Sequence, residues 1–440
     1  MSGKPGIREV IAGDLCIACG ACIQACPHGL VQPGYDNQNG AQVAWISKDA
    51  RCDECVAYCD KVCPSIEMDF AAHATAQSEC APGGGRTGNV RAVRTGYSPA
   101  FRDNGVTSSG GVVRAILHDA LAQGIPVVCL GWDGAMYRAM SLTAADDLAK
   151  VPGSIYHSVT FMDGIARLRA STVPAVLVAT PCQLEGIEKY IESVEPTLRE
   201  KIHLSVGLIC GWMYSDHAIH AFASFKHIRE PVLKAEYRGE NQVGLLKLHT
   251  ATNAYRFERR RFSAIRDALD YRAAFSAPAN RLRCRLCQNH INLLADVAVG
   301  DAWLARSQGV KQSILVIRSA RAEAEMTRLQ NTGVLVCAQA DWGDVVASQS
   351  ADLVYGHTAR RMTEYLKARD HQTPAFTFGA DQEEDNPTPQ HGYAGELMLR
   401  HVLRRGHYRV FRRLYTLLNG YRILRLWLSM AMRKHLRRQT

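Results

Sequence analysis

Two cysteine-rich stretches lie near the start of the sequence, CIACGACIQACP at residues 16–27 and CDECVAYCDKVCP at residues 52–64. The first has the spacing C-x2-C-x2-C-x3-C, and the second has one extra residue between Cys55 and Cys59. Each run ends in a proline, which keeps the chain from continuing as a helix. Short turns of this kind let neighbouring thiolates converge, so the two stretches predict a small metal-binding domain.

The first run matches the bacterial ferredoxin pattern without a departure. In that pattern three thiolates of a run hold one cubane and the fourth crosses to the other cluster. Zinc sites and disulfides also use C-x2-C pairs, but doubled C-x3-C-P runs favour two [4Fe-4S] clusters. The extra residue before Cys59 requires a bulge in the second loop. The predicted ligands are Cys16, Cys19, Cys22 and Cys63 for one cluster, and Cys52, Cys55, Cys59 and Cys26 for the second.

The composition is that of an ordinary globular protein with more than one domain. The chain has 440 residues, of which 47% are hydrophobic and 21% charged. No apolar signal region begins the sequence, and no apolar stretch approaches the roughly 18 to 20 residues of a spanning helix. Fifteen cysteines suit a reducing compartment. We therefore expect a cytoplasmic protein. No G-x-S-x-G, H-E-x-x-H or G-x4-G-K-[ST] motif indicates a hydrolase or a phosphate-binding loop.

The positive charge is concentrated at the end of the chain. The whole chain has a formal net charge of +10. Residues 397–440 alone contain twelve Arg or Lys and no Asp or Glu. Their aromatic residues lie among aliphatic ones at helical spacing, which favours an amphipathic helix over a nucleic-acid site. This tail predicts reversible association with an anionic membrane surface, on its inner face, or with an acidic protein. The alternative is a helix docked on the protein's own core.

The predicted fold class is α+β or α/β, with a bacterial-ferredoxin-like domain, an α/β domain and a helical basic tail. Apolar strands are expected at Ile125–Leu130, Ala175–Ala179, Leu204–Cys210, Val297–Gly300 and Ile314–Ile317. A helix is expected from Val112, and Ser215 or Asp216 should cap another that runs to Phe225. The predicted domains are 1–78, 93–370 and 392–440, with a Gly-rich flexible linker at 79–92 and a polar one at 371–391.

Small residues precede the first helix of the second domain. Backbone N–H groups at such a helix entry, together with the helix dipole, favour a phosphate. An ordinary helix-entry turn would have the same composition. The residues are Thr107, Ser108, Ser109, Gly110 and Gly111.

Four further cysteines form a second candidate metal site. Cys182 and Cys210 follow predicted strand ends, where ligand sites gather in α/β sheets, and Cys284 and Cys287 form a C-x2-C clip. Together they could hold one cubane, or Cys182 and Cys210 could be buried apolar thiols. Arg281, Arg283 and Arg285 surround the clip, where they would raise the cluster potential and attract an acidic partner, or form a solvated basic loop. The triplet at residues 259–261 has the same two interpretations.

Residues 95–320 resemble the β subunits of coenzyme F420 hydrogenases and dehydrogenases, a family that includes ferredoxin-dependent chlorophyll-pathway reductases. Five motifs occur in the family's order, and several members also have an N-terminal two-cluster ferredoxin domain. The motifs are SSGGVV before a helix, G-S-x-Y-x-x-S from Gly153, TPCQLEGI, VGLIC, and CRLC followed by ADVAVGD at residues 295–301.

The resemblance implies a flavoprotein that binds FAD and a third [4Fe-4S] cluster, and that exchanges a hydride with a deazaflavin or another reducible ring. It places the FAD phosphates near Ser109, Gly110 and Gly111, and implies that Cys182, Cys210, Cys284 and Cys287 hold the third cluster. Asp296, Gly300 and Asp301 match a strand-end motif, although Asp296 could be a structural cap. Many relatives have lysine where this chain has Ile155. The flavin contacts would be Gly153, Ser154, Tyr156 and Ser158.

Three hypotheses about function follow from these features, and none assigns a catalytic residue. The first is an enzyme that oxidises or reduces coenzyme F420 and exchanges the electrons with a ferredoxin or a partner redox subunit. The second is a ferredoxin-dependent reductase of another organic substrate, such as a pigment or a polysaccharide precursor. The third is a non-catalytic electron-transfer subunit of a larger complex.

Overall fold

The computed structural model describes residues 6–47, 52, 57–72, 85–240, 243–259, 265–307, 309–378 and 393–420. Cys55, the Gly-rich residues 79–84, Arg260, Arg261 and the tail beyond residue 420 therefore lie outside the described residues. Within the described ranges, no helix is both long and apolar enough to cross a bilayer.

Fifteen strands are present in the described part of the chain. They are β1 Val31–Asp36, β2 Ala41–Ile46, β3 Glu67–Asp69, β4 Ala92–Tyr97, β5 Val127–Trp132, β6 Tyr137–Leu142, β7 Ala175–Ala179, β8 Ile202–Leu208, β9 Lys234–Arg238, β10 Leu245–His249, β11 Ala254–Glu258, β12 Val297–Asp301, β13 Ser313–Ile317, β14 Val336–Ala340 and β15 Ala375–Thr377.

The helices differ widely in length. They are Ile7–Ala12, Ala21–Ala25, Tyr58–Lys61, Val112–Ala122, Gly164–Ala170, Pro181–Ser193, His217–Phe225, Ile265–Ala274, Leu282–Arg285, Ala320–Asn331, Trp342–Gln349, Ala351–Tyr355, His357–Lys367 and Tyr393–Arg404. The chain is helical again over 408–420.

The cysteine-rich region is a small α+β unit. Its strands β1 and β2 form an antiparallel hairpin, and β3 pairs in parallel with β15, which lies within the segment predicted as the polar linker 371–391. Gly20 has a left-handed backbone with φ +84, and a Cβ there would lie 2.3 Å from the Cα of Met162. Glycine at this position therefore lets the cysteine loop approach the second domain closely.

An eight-stranded mixed sheet forms the centre of the second domain, with strand order β14-β4-β13-β12-β8-β7-β5-β6. The central strands β12, β8, β7 and β5 run parallel, and the remaining neighbours pair antiparallel. All five residues of β7 and of β13 are buried, as expected for strands covered on both faces. A separate antiparallel sheet, β11-β10-β9, packs with the helices His217–Phe225 and Ile265–Ala274.

The two domains share one hydrophobic core. Val10 and Leu15 of the cysteine-rich region belong to the same buried cluster as Leu177 of β7 and Tyr190 of the helix Pro181–Ser193. A shared core holds the cysteine loops at fixed positions relative to the sheet, because packed interiors resist deformation.

The predicted mixed α/β architecture with an N-terminal cysteine domain is confirmed. The strand predicted at Ala175–Ala179 has its predicted limits, and the others differ by up to two residues at each end. Asp216 is the N-cap of His217–Phe225 without a side-chain capping bond, since its carboxylate accepts from Tyr35 Oη at 2.8 Å. The domain limits stay predictions.

The predicted flexible linker and the predicted basic tail are both partly held against the core. Within the Gly-rich linker, Arg86 donates to Gln288 Oε1 at 2.8 Å and lies 4.2 Å from the ring centroid of Phe378. In the basic tail, the helix Tyr393–Arg404 buries Leu399 and Leu403. The described start of the tail thus follows the alternative interpretation, a helix docked on the core.

Candidate functional site

The first cysteine set surrounds a cavity in the N-terminal domain. Cys16, Cys19, Cys22 and Cys63 line it together with apolar side chains such as Ile7 and Val10. The backbone N–H of Ala44 donates to Cys16 Sγ at 3.2 Å. Burial raises the pKa of Cys19 and Cys22 well above the usual range, and that of Cys63 to about 12. Such buried thiols ionise only with a strong compensating charge, which a bound metal supplies.

The second set lines a neighbouring cavity. Its described members are Cys26, Cys52 and Cys59. The backbone N–H of Leu30 donates to Cys26 Sγ at 3.3 Å. The last cysteine of each run thus lies beside the other run, which is the crossed grouping predicted from the spacing.

Among the residues that the structure describes, no three His, Cys, Asp or Glu side chains converge as they would around a single metal ion. A cubane binds its four thiolates at separate iron corners, so its ligands stand farther apart than those of one ion. The described members of the two cysteine sets are grouped around their respective cavities.

The third set comes from three loops at the carboxyl edge of the parallel strands. Cys182 lies in the first turn of Pro181–Ser193, directly after β7, and Cys210 follows β8. Cys284 lies in the short helix Leu282–Arg285, and Cys287 follows it. The charge of Cys210 interacts with the other three thiols, and desolvation by the surrounding protein raises the pKa of all four, of which Cys287 is buried and the others are partly buried. The structure therefore brings together all four cysteines of the predicted third site.

The first and third sets are neighbours. Cys19 is within electrostatic range of Cys182, and a Cβ at Gly186, one turn after Cys182, would lie 2.7 Å from Cys19 Sγ. Arg283 bridges the same gap, because its Nη2 donates to Glu185 Oε2 at 2.9 Å and to the carbonyl of Pro64 at 3.3 Å.

The three clip arginines are not exposed, whereas their predicted effect on the cluster potential stays a prediction. Arg281, Arg283 and Arg285 are buried and form ion pairs with Asp14, Glu185 and Glu396, respectively. They are neither a solvated loop nor an open patch for an acidic partner. The sequence shows the positive charges but not the carboxylates that cover them.

The two segments predicted to contact a flavin lie against each other. Ser154 Oγ donates to Ser108 Oγ at 2.8 Å. A Cβ at Gly153 would lie only 2.0 Å from the carbonyl oxygen of Val106, so glycine permits this contact. Arg114 fixes the backbone that leads into Gly153, because its guanidinium donates to the carbonyls of Leu148 and Val151 at 2.9 and 2.6 Å.

Residues 107–111, which we call the helix-entry loop, are held in place by hydrogen bonds to neighbouring segments. Ser109 Oγ donates to the carbonyl of Gln312 at 2.7 Å, and the N–H of Gly110 donates to Ser313 Oγ at 3.1 Å. Gly111 has φ +81 at the start of the helix. Thr107 Oγ1 is buried and has no hydrogen-bond partner within the described part of the chain. An orphaned hydroxyl beside a helix N-terminus fits an anionic ligand.

Sequence reasoning missed two cations beside this loop. Arg238, at the end of β9, donates to Asp301 Oδ2 and to the carbonyl of Ser108, and lies 5.0 Å from the ring centroid of Trp303. Lys311 Nζ donates to the carbonyl of Thr107 at 2.9 Å, and burial lowers the pKa of Lys311. Neither residue stands in a recognisable motif, because each reaches the loop through the tertiary fold.

The segment 153–158 also links the sheet to the cysteine sets. The N–H of Gln42, in the N-terminal domain, donates to Ser158 Oγ at 3.0 Å. The carbonyl of Tyr156 accepts from the N–H of Tyr214 at 2.7 Å. Ile155 packs in the same small apolar cluster as Cys284, so no charge stands at the position where many relatives have lysine.

The strand-end motif divides into structural and candidate binding residues. Asp296 accepts from the N–H and Oγ of Ser205, both at 2.7 Å, and from Arg321 Nε at 2.7 Å; it joins β12 to β8 as a structural residue. Gly300 admits the side chain of Ile209, since a Cβ would lie 2.8 Å from the Cβ of Ile209. Asp301 faces the loop through its ion pair with Arg238.

Comparison with known proteins identifies both halves of this arrangement. Residues 175–341 match the family described as the C terminus of the coenzyme F420 hydrogenase/dehydrogenase beta subunit. Residues 10–32 match a 4Fe-4S binding domain. The N-terminal region is 32% identical over 81 residues to a ferredoxin of Pyrobaculum islandicum, covering 18% of this chain and 69% of that protein.

A longer match involves one component of a dehydrogenase. A subunit of the F(420)H(2) dehydrogenase of Methanosarcina mazei is 26% identical over 217 residues, which is 47% of this chain. The match spans 56% of that relative's length. A chain of the F420-reducing [NiFe] hydrogenase complex from Methanosarcina barkeri aligns with a TM-score of 0.45 and 16% identity, covering 64% of this chain and 94% of that one.

The fold and the cysteine sets define an iron–sulfur protein. More specifically, residues 175–341 are related to the C terminus of coenzyme F420 hydrogenase/dehydrogenase beta subunits, and the N-terminus carries a 4Fe-4S binding domain.

Proposed function

We propose that the protein is an iron–sulfur flavoprotein oxidoreductase that passes electrons between coenzyme F420, FAD and [4Fe-4S] clusters. The family and the dehydrogenase relative support this assignment. The observation that carries it is the continuity of the three candidate sites. Ile155 of the flavin segment shares an apolar cluster with Cys284, and Cys182 of the same set neighbours Cys19.

The cysteine sets are the proposed cluster ligands. Two clusters would be held in the N-terminal domain by the crossed runs, and a third by Cys182, Cys210, Cys284 and Cys287. The surroundings of the third set fit an anionic cluster, because Arg283 is buried close to three of its thiols. The Nε and Nη1 groups of Arg283 lack a hydrogen-bond partner in the described ranges, and buried donors of this kind require an acceptor.

The proposed FAD site combines the predicted residues with the two missed cations. Arg238 and Lys311 hold the carbonyls of Ser108 and Thr107 and place positive charge beside the helix entry, where a diphosphate is stabilised. When bound, FAD couples two-electron hydride exchange to one-electron transfer. The proposed contacts are Thr107, Ser108, Ser109, Gly110, Gly111, Gly153, Ser154, Tyr156, Ser158, Gly300 and Asp301.

The chain's own contribution is to fix these sites at short range and to exclude water between them. The shared hydrophobic core and the bond between Gln42 and Ser158 prevent the N-terminal domain from moving relative to the flavin segment. Burial of Cys16, Cys19, Cys22 and Cys63 also protects the first cluster from solvent. Ferredoxin or a partner redox subunit would exchange electrons at the second cysteine set, because Cys52 is exposed.

The first test is anaerobic iron, labile sulfide and flavin analysis of a single sample. Three cubanes give about twelve irons per chain and one flavin, whereas the N-terminal pair alone gives about eight irons. A sample with about eight irons and no flavin would overturn the proposal.

The second test mixes the loaded protein with reduced coenzyme F420 under anaerobic conditions. Bleaching of the flavin followed by cluster reduction supports the F420 assignment. Flavin reduction by a reduced ferredoxin but not by F420 would replace it with a ferredoxin-dependent reductase of another substrate. Reduction only in the presence of a co-purifying subunit would assign the chain as an electron-transfer subunit.

A further inference from the structure

Five buried or partly buried arginines meet near the cysteine clip. Arg281, Arg283 and Arg285 come from the clip itself, and each forms an ion pair with a carboxylate from another part of the chain. The helix Tyr393–Arg404 adds Arg400 and Arg404, both paired with Asp14. This helix lies beyond the region that matches the family, which ends at residue 341. We call these five residues the arginine network.

Carboxylates are scarce within the network. Its five guanidinium groups share Asp14, Glu185 and Glu396, and Asp14 alone serves three of them. At longer range, Asp36 attracts Arg404 and Asp216 attracts Arg281 electrostatically. His217 also lies within electrostatic reach of Asp14 and Arg404. Burial, together with repulsion from Arg404, lowers the pKa of Arg400 to about 10. Charges buried in this way need compensating anions.

Two members of the network, Arg281 and Arg283, lie between the first and third cysteine sets. Arg281 Nη2 donates to the carbonyl of Cys16 at 2.6 Å, while the carbonyl of Arg281 accepts from the N–H of Cys284 at 3.1 Å. Arg283 joins the carbonyl of Pro64, next to Cys63, to Glu185 of the helix that contains Cys182. These two cations therefore stand beside both candidate cluster sites, and Arg404 is joined to Arg281 through their shared partner Asp14.

We propose that the arginine network raises the reduction potentials of the clusters at these two sites, and that the helix Tyr393–Arg404 supplies part of this effect. The inference rests on the proposed cluster ligands. Reduction of a cluster adds one electron from an external donor without breaking a bond, so it adds one negative charge. Buried cations stabilise that charge because solvent and salt screen them weakly. The network thus stabilises the reduced form of the clusters at these two sites.

The test compares two substitutions with opposite charge effects in the full-length, cluster-loaded protein. Arg404→Gln removes a positive charge and should decrease the reduction equilibrium constant of the neighbouring cluster roughly threefold to tenfold. Asp14→Asn removes a negative charge and should shift the constant in the opposite direction. Anaerobic redox titration followed by EPR measures both. Two shifts of the same sign, or no shift in either variant, would overturn the proposal.

Two further variants separate charge from packing. Arg404→Lys keeps the charge and should keep the wild-type potential; a shift as large as that of Arg404→Gln would contradict an electrostatic role. Arg412→Gln removes a different ion pair of the C-terminal region, with Asp270 at 2.5 Å, and should leave the potentials unchanged. If the wild-type protein holds no clusters at these sites, the proposed function fails; if it holds them and Arg404→Gln leaves them unmoved, only this inference fails.

Discussion

Gly186 lies directly against Cys19, so that a methyl group at Gly186 would stand 2.7 Å from the cysteine sulfur. This contact joins the helix Pro181–Ser193 to the first cysteine loop. Any side chain here must displace the loop or the helix, and overpacking of this kind costs about 1–3 kcal/mol.

We therefore expect Gly186→Ala to lower the iron content and the thermal stability of the protein. The matched control is Gly395→Ala, also in a helix, where the nearest atom to a new Cβ is Leu418 Cδ1 at 4.0 Å. The control should keep its iron and gain up to about 1 kcal/mol, because alanine favours helix over glycine. Iron analysis and thermal unfolding check both variants; equal behaviour of the two would show that the contact is unimportant.

Cys284→Ser should remove roughly one cluster's worth of iron, about four atoms per chain. Cys284 belongs to the third cysteine set with Cys182, Cys210 and Cys287, whereas Cys337 lies on β14. Cys337→Ser should accordingly retain all iron. Full retention of iron in Cys284→Ser would exclude Cys284 as a ligand.

Gly153→Ala should reduce the flavin content while leaving the iron content close to that of the wild type. The new Cβ would collide with the carbonyl of Val106 and separate the segment 153–158 from the helix-entry loop. Gly211→Ala is the control, since no atom lies within 4 Å of a Cβ there. The flavin-to-iron ratio of each purified variant is the measurement. An unchanged ratio in Gly153→Ala would contradict the assignment of this segment to the flavin site.

His157 should make the protein less stable as the pH falls from about 6.5 to about 4. Burial lowers the pKa of His157 to about 4, so below its usual pKa the unfolded chain binds a proton that the folded protein does not. Near pH 4 this lowers the free energy of unfolding by about 3 kcal/mol. Asp216, whose pKa burial raises to about 6, acts in the opposite direction, so the prediction concerns a difference between variants.

His157→Asn should remove this component of the pH dependence, measured by denaturant unfolding at pH 7 and at pH 5. His203→Asn, at an exposed position, should retain it. Parallel pH profiles for the wild type and His157→Asn would show that the imidazole binds its proton equally in the folded and unfolded states.

Local sequence patterns were sufficient to predict where several strands lie and which cysteines lie close together. The β7 stretch AVLVA is apolar throughout and bounded by Pro174 and Thr180, so its limits could be predicted. The strand expected at Ile125–Leu130 begins at Val127 instead, because proline at residue 126 lacks the N–H that a strand interior needs. Cysteine spacing likewise predicted which residues surround each cavity.

Long-range pairing could not be predicted in the same way. Arg281 and Asp14 are separated by 267 residues, and Arg238 and Ser108 by 130. A single sequence shows each charge without its partner, so the clip arginines seemed exposed and the cations beside the helix-entry loop were missed. The tail was ambiguous for the same reason, since a basic amphipathic helix can dock on a membrane or on its own core.

The side chain of Asp14 also has a consequence for biosynthesis. It is bound by Arg404, 390 residues later in the chain. Translation proceeds from the N-terminus, so the cysteine-rich loops leave the ribosome long before the helix that binds Asp14 has been made. We expect their thiols to be accessible to the cell's iron–sulfur assembly machinery throughout this interval, and closure by the late helix to follow metal insertion.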